Sequence, residues 1–523
     1  MDLSPEARPL LAAPNERHLL EEPLSALSLK ERLPAGSALA ALGQLRQWLA
    51  ELVELTQCPP EHWLHMIEQI DKLAEHHQLR LVPQYLDAQR MRKLGESELW
   101  RTTFGYWEQL GNAYLRCLLR YQAAPDKARD FRPRLPLLLT RLLNTLGRQY
   151  EWTLLRYAHV EDRIWRGIGQ CHLLAESWGI AERRCVLRDG RPGESTPKQE
   201  LLKTLMLAMA TPDTLPQTQL YIAKRVSAYL SQHFTLHSTA GPGCTFCFDL
   251  SLHQPPSRAQ GGRVATTAPL RRFFGAGTSA LALQKLIAQA QQRGALPREL
   301  GLGSEFSQAD ILATLHHLER QWAESRPARR SEREPSTSRM TVLPGMLPAL
   351  RWLGQLQENG KSETPIPTRA ESWVITDRSE GGFGAVLPAQ PADWLAIGTL
   401  IVTRPESSGV TRMGLLRRIT TEANEQCHIG VELIGQQAVR VMLRSTIPHQ
   451  DEGHVPDGQS AILLSLRPDA QNAVELLLPL DTLKPVRSLQ MQLGTRSFRI
   501  ESPELVEQGR DYRRVCYRLL PHS

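Results

Sequence analysis

The spacing of apolar residues changes once along this chain of 523 residues, and that change limits the folds that it can adopt. Between residues 38 and 325 apolar residues recur every three or four positions, which predicts amphipathic helices. From about residue 371, β-branched and aromatic residues alternate with polar ones between Gly, Pro and Asp, which predicts strands. We therefore expect an α+β multidomain protein with an N-terminal all-α helical module and C-terminal β structure.

The helical segments predict one α-helical domain over 38–325, preceded by a flexible N-terminus at 1–37. An irregular insert is expected at 235–278, where Gly, Pro and Ser cluster around a short apolar run. Ser307 is placed to cap the last helix of this domain. Trp and Tyr recur with Leu at helical spacing, which favours a buried core, with a groove for a partner as the alternative.

The β region divides into two groups of predicted strands. The first group, at 371–445, has the six strands that a small antiparallel barrel needs, and the second, at 455–523, predicts another β unit. The first group comprises 371–377, 382–388, 398–404, 411–420, 427–435 and 438–444. The second group comprises 460–467, 473–479, 488–494, 497–502 and 512–520.

A basic linker with a short helix is expected at 326–370, between the helices and the strands. Its first part is rich in arginine and has no large apolar residue, which is typical of an exposed charged segment. Glu332 and Glu334 interrupt the arginines and no aromatic residue lies among them, so a nucleic-acid interface is disfavoured.

Composition and motif searches narrow the class of protein. The net charge of +7 favours anionic partners, and the eight scattered cysteines, together with the absence of a signal sequence, favour the reducing cytoplasm. No apolar run is long enough to predict a transmembrane segment. The chain has no phosphate-binding loop, zinc-protease motif or serine-hydrolase motif, so we do not expect an enzyme.

The string TDRSEGGFGAVLP, between two predicted strands, is the most informative local pattern. Asp377 and Ser379 are two residues apart, so alternation places them on one surface patch, and Gly381 and Gly382 could adopt positive φ beside a ligand. Asp accepts hydrogen bonds from guanine N–H groups, and Ser bonds phosphate or sugar oxygens. Because Asp, Ser and Gly are also common in hairpin turns, an ordinary turn is the alternative interpretation.

The D-x-S-x-x-G pattern of Asp377, Ser379 and Gly382 resembles the PilZ family of bacterial cyclic di-GMP receptors. ADWLAIGTLIVTR and CHIGVELIGQ extend the resemblance over about 371–442 and imply a PilZ-like six-stranded barrel. In that family an R-x-x-x-R motif precedes the barrel and contributes positive charge. Two overlapping copies exist here, Arg326 with Arg330 and Arg329 with Arg333. The chain departs from the family in spacing, because 44 positions separate Arg333 from Asp377.

The resemblance implies a signalling protein that binds cyclic di-GMP and thereby changes how its helical domain engages an unidentified protein partner. Motility, attachment, exopolysaccharide or secretion would be the controlled process. The main alternative is a barrel without ligand that serves as an interaction scaffold. The C-x-x-C pair is expected to be two small residues in a buried hairpin, so we do not expect a metal site. A tetrahedral zinc site is the minor alternative, because two histidines lie nearby. Its candidate ligands are Cys244, Cys247, His237 and His253.

Overall fold

The computed structural model describes most of the chain and groups it into two compact units. The first unit comprises Met1–Trp152, Arg166–Leu201 and Leu250–Leu252, and the second comprises Thr153–Trp165, Leu202–Asp249 and His253–Ser523. The described residues are 26–55, 59–91, 95–125, 129–187, 193–259, 270–292, 296–325, 332–359, 366–387, 394–405, 410–424, 426–435, 437–445, 458–480 and 488–520.

The first unit is built mainly from amphipathic helices that bury their aromatic residues. Trp63, Tyr106 and Tyr114 are fully buried where the long helices pack, and Tyr85 packs edge-on against Trp152. The predicted helical core is thus present in this unit. Its helices are α1 (Ala26–Lys30), α2 (Ala38–Glu54), α3 (Pro60–Met91), α4 (Glu96–Ala123), α5 (Leu135–Leu154) and α6 (Asp162–Ser177), although the last two residues of α5 and the first four of α6 belong to the second unit. A short hairpin follows, with strands β1 (Cys185–Val186) and β2 (Glu194–Ser195).

The second unit begins with helices and a small sheet. Ser307 caps α10 as predicted, because its Oγ accepts a hydrogen bond from the backbone N–H of Asp310 at 3.0 Å. The helices are α7 (Pro197–Ala208), which starts in the first unit, α8 (Gln217–Leu230), α9 (Ser279–Gln291) and α10 (Gln308–Trp322). The strands are β3 (Thr235–His237), β4 (Phe246–Asp249), β5 (Ser257–Arg258) and β6 (Arg271–Gly275).

The insert expected to be irregular is therefore partly a four-stranded antiparallel sheet, in the order β3-β6-β4-β5. Phe246 and Phe248 of β4 are buried, which explains the apolar run in a polar surrounding. Strands of two to five residues separated by long connections leave too little alternation in the sequence to predict a sheet.

A closed six-stranded antiparallel barrel follows, which we call the first barrel. Its strands are β8 (Arg339–Pro344), β9 (Glu371–Ser379), β10 (Gly382–Leu387), β11 (Leu400–Pro405), β12 (Arg412–Thr421) and β13 (Cys427–Gly435). The cyclic order is β8-β9-β10-β13-β12-β11, and the short strand β7 (Glu334–Pro335) adds to β9 from outside. The segment 339–344, which the sequence assigned to the linker, thus supplies a barrel strand.

The second barrel is also closed and six-stranded, in the order β14-β15-β16-β19-β18-β17. Its first strand is the segment that the sequence had assigned to the first barrel, because β14 pairs with β15 and β17. The strands are β14 (Val439–Ser445), β15 (Gln459–Leu463), β16 (Ala473–Pro479), β17 (Ser488–Leu493), β18 (Arg496–Gln508) and β19 (Tyr512–Leu519). Two barrels after a helical region confirm the α+β multidomain fold.

Helix α11 (Met346–Asn359) connects β8 to β9 and packs between the two barrels. Its buried residues Trp352 and Leu353 share one apolar core with Leu400 of the first barrel and Leu477 of the second. The backbone N–H of Met346 donates to a carboxylate oxygen of Asp511 at 2.7 Å, so a second-barrel side chain satisfies the helix N-terminus. The barrels are therefore joined through a common core.

Candidate ligand-binding site

The candidate motif lies at one rim of the first barrel, where β9 ends and β10 begins. Ser379 pairs with Gly382 and Asp377 with Gly384, and a register shift follows before Ala385 pairs with Ile375. The bulge adds one residue to β9, and Asp377 and Ser379 are half-buried while the intervening Arg378 is exposed. Both motif side chains therefore lie on one face of β9 at the rim.

Gly382 is required by a close approach of two strands rather than by its backbone angles. Neither Gly381 nor Gly382 has positive φ, so the expected role of left-handed backbone is wrong. A Cβ atom at position 382 would lie 2.1 Å from the carbonyl oxygen of Val431 on β13. The hydroxyl of Ser379 donates to the carbonyl of Gly382 at 3.3 Å, which ties the two ends of the turn together.

Arg333 is brought to Asp377 by the short strand β7. Pro335 pairs with Asp377 and Glu334 with Arg378, so the preceding residue comes beside the end of β9. Nη1 of Arg333 donates to Oδ1 of Asp377 at 2.7 Å. Their side chains are 42% and 33% exposed. Such a solvated ion pair contributes about 0–1 kcal/mol, so exchanging one partner for a ligand group costs little.

One of the four arginines of the R-x-x-x-R copies, Arg333, belongs to the described residues. Arg326, Arg329 and Arg330 lie outside the described residues. Of the two overlapping R-x-x-x-R copies, the one that ends at Arg333 has its second arginine beside the motif carboxylate. The spacing of 44 positions is bridged because β8 and α11 fold within it and β7 returns to β9.

A cleft of about 1020 Å³ opens at this rim, and both barrels line it. The first barrel contributes Arg378 and Arg412 besides the motif residues Ser379 and Gly382. The second barrel contributes the segment after β15 and the start of β16, including Arg467. A cleft of this size matches the upper end of the roughly 300–1,000 Å³ range of small-molecule sites.

The acidic residues of the cleft fall into two groups. Asp469 accepts hydrogen bonds from the backbone N–H groups of Gln471 and Ala473, each at 2.8 Å. Glu475 binds the guanidinium of Arg514 at 2.6 Å. Backbone donors thus satisfy Asp469, and an ion pair within the protein compensates the charge of Glu475. The other lining acids, Glu332, Glu334 and Glu380, are exposed at the mouth, where water screens them.

Sequence reasoning missed the cleft residues that lie outside the motif. Arg412 starts β12 and Arg467 follows β15, and no local pattern marks either one. Their place in one cleft with Ser379 and Gly382 depends on closure of the first barrel and on its packing against the second. Predicting these residues would require knowing which strands pair with each other, and the alternation of apolar and polar residues does not provide that information.

The zinc alternative is not supported by the arrangement of possible ligands. Across the described ranges, no three or more His, Cys, Asp or Glu side chains are grouped to hold a metal ion. The four residues considered, Cys244, Cys247, His237 and His253, all belong to those ranges. Cys247 instead lies 3.5 Å from the hydroxyl of Ser257, on the neighbouring strand. Cys247 is thus part of the small sheet, and Cys244 precedes its strand β4.

Comparison with known families gives a match to the helical part of the chain. Residues 25–241 match the family described as the N-terminal domain of the cyclic-di-GMP receptor FimW. The matched region precedes both barrels and the arginine-rich segment, so it is independent of the D-x-S-x-x-G pattern. No curated protein matches the chain. In the part of the chain that the structure describes, no helix is sufficiently long and apolar to cross a bilayer.

Proposed function

We propose that this protein is a non-enzymatic receptor for cyclic di-GMP, and that its first barrel is a PilZ-like ligand-binding domain. The observation that carries the proposal is the contact between Arg333 and Asp377 at the barrel rim. It brings one arginine of the R-x-x-x-R pattern to the carboxylate of the D-x-S-x-x-G pattern, although 44 positions separate them. The match of residues 25–241 to a domain of a cyclic-di-GMP receptor supports the same ligand from another region of the chain.

The chemistry of the rim suits a guanine dinucleotide. The guanidinium of Arg333 can bind phosphate oxygens through two parallel hydrogen bonds or pair with the O6 and N7 atoms of guanine. The carboxylate of Asp377 can then accept from the guanine N–H groups. The ligand thus replaces one solvated ion pair with two interactions of opposite polarity, at Arg333 and at Asp377.

We further propose that ligand binding changes how the protein engages a protein partner. Exposed leucines on α4, Leu115 at 42% and Leu119 at 48%, lie on one face within the region that matches the receptor domain.

We place the receptor in the cytoplasm, since the seven cysteines in the described ranges are all free thiols.

Calorimetric titration with cyclic di-GMP tests the proposal, with GTP as the specificity control. We expect saturable binding by the wild type, and loss of binding in Asp377→Ala with an unchanged unfolding temperature. Asp130→Ala, which removes an exposed carboxylate in the first unit, is the matched control and should bind normally. Folded wild-type protein that shows no binding heat would reject the receptor and favour the scaffold.

A further inference from the structure

The cleft holds a buried hydrogen-bond donor that the motif does not explain. Nε of Arg412 is shielded from solvent and has no acceptor among the described residues. An unsatisfied buried donor is uncommon, and leaving one on a charged group costs more than leaving one on a neutral group. Arg412 also lines the cleft that Arg333 and Ser379 line. Nε itself is out of reach of a ligand in the cleft, so a ligand phosphate would bind the terminal N–H groups of this half-buried guanidinium.

The position of Arg412 in the barrel adds a geometric argument. In the cyclic order β8-β9-β10-β13-β12-β11, strand β12 is three strands from β9 in either direction. Arg412 at the start of β12 is therefore opposite Asp377, and both lie at the same rim because Met413 pairs with Gly435 and Gly382 with Glu432. Six tilted strands give a barrel roughly 13 Å wide. The two walls would thus contact different groups of one ligand.

We propose that Arg412 binds a second phosphate group of the ligand whose first phosphate is bound by Arg333. The site then selects a ligand with two phosphates, held across the rim between opposite strands. This inference rests on the proposed function and extends it to a residue outside both sequence motifs. Arg467 of the second barrel lines the same cleft and adds a more exposed, and therefore weaker, positive charge.

Arg412→Gln tests the proposal by calorimetry with cyclic di-GMP, at several salt concentrations. We expect affinity to fall about 10- to 100-fold, because a hydrogen bond to a charged group is lost. The salt dependence of binding should also become weaker, which a merely structural change would not cause. Arg518→Gln removes an exposed arginine of β19 outside the cleft and should leave both quantities unchanged.

Arg412→Lys retains the positive charge and the aliphatic stem, so it keeps the test informative if Arg412→Gln unfolds. We expect it to bind less tightly than wild type and to retain the wild-type salt dependence. If wild type binds, Asp377→Ala does not, and the folded Arg412 variants bind within twofold of wild type, the second phosphate site is wrong while the receptor stands. If folded wild type does not bind, both proposals are rejected.

Discussion

The two barrels have the same number of strands but differ in how much they depend on the rest of the chain. Strands of the second barrel contain no glycine, whereas those of the first contain five. These are Gly382, Gly384, Gly414, Gly430 and Gly435. At position 384, for example, a Cβ would lie 2.7 Å from Oδ2 of Asp377. Glycines in the first barrel therefore allow backbone and polar groups to approach closely at its rim.

The cores of the two barrels also differ in whether residues from outside the barrel contribute to them. The interior of the second barrel is filled from its own strands and includes the fully buried Tyr517. The core of the first barrel includes Tyr157, which lies far upstream and adopts a left-handed φ of 52°. The hydroxyl of Tyr157 donates to the carbonyl of Leu215 at 3.0 Å. The interior of the first barrel thus depends on an upstream segment, whereas that of the second does not.

Tyr157→Ala should have the largest effect on this contrast. Removing a buried aromatic side chain is expected to lower the free energy of unfolding by about 3–5 kcal/mol. Because Tyr157 packs in the first core and not the second, hydrogen exchange should accelerate in β9–β13 more than in β15–β19. Tyr517→Ala should show the reverse pattern. Equal acceleration in both barrels after Tyr157→Ala would contradict the proposed dependence.

Gly382→Ala should have the second largest effect on stability, because the new methyl group would meet the backbone of β13. Overpacking of this kind costs about 1–3 kcal/mol, measured by denaturant unfolding. Gly381→Ala is a closely matched control, since a Cβ there meets nothing within 4 Å and its φ is not positive. Equal stability of the two variants would show that β10 and β13 are not as close as described.

Sequence patterns predicted the strands better than they predicted strand partners. Predicted strands 371–377 and 382–388 correspond to β9 (Glu371–Ser379) and β10 (Gly382–Leu387). Alternation identifies such strands from local residues, but membership of a barrel depends on distant pairing. Thus 438–444 was assigned to the wrong barrel, and Arg339–Pro344, which follows a polar charged segment, was not predicted as a strand.

The candidate site likewise contains residues that a local sequence pattern marks and residues that only the fold brings together. The D-x-S-x-x-G pattern is local, so Asp377, Ser379 and Gly382 could be selected from sequence. The position of Arg333 beside Asp377 could not be predicted, because it depends on the pairing of β7 with β9. Arg412 has no local signal, since its place opposite Asp377 arises only when the barrel closes.

A charged cluster joins the two barrels and provides a smaller, pH-dependent test. Arg417 of β12 binds Glu432 of β13 at 2.7 Å and Glu507 of β18 through two hydrogen bonds of 2.7 and 2.8 Å. Burial alone would raise the pKa of Glu507, but the hydrogen bonds and charge of Arg417 outweigh it, so the pKa lies below its ordinary value of 4.5. The ionised carboxylate therefore stabilises the folded state.

Because the folded pKa of Glu507 is lowered, this stabilisation is present above pH 4.5 and is lost as the pH falls through the folded pKa. Arg417 is 37% exposed, so solvent screening limits the expected cost of Glu507→Gln to about 1 kcal/mol at pH 7. The unfolding free energy of the Glu507→Gln variant should depend less on pH below 4.5 than that of wild type. Glu504→Gln, at an exposed position on the same strand, is the control. Parallel pH curves for wild type and Glu507→Gln would exclude the linkage.

Asp213→Ala should have the smallest effect and tests how the first barrel contacts the turn before α8. The carboxylate of Asp213 accepts hydrogen bonds from Nε of Arg418 and, at 3.1 Å, from the hydroxyl of Thr420, both on β12. Arg418 is 62% exposed, so we expect a loss of only about 0.5–1 kcal/mol. A double-mutant cycle with Arg418→Ala should give a coupling energy of about 0.5 kcal/mol by denaturant unfolding. Additive effects would mean that this contact does not tie the barrel to the turn, leaving Tyr157 as the main source of its dependence.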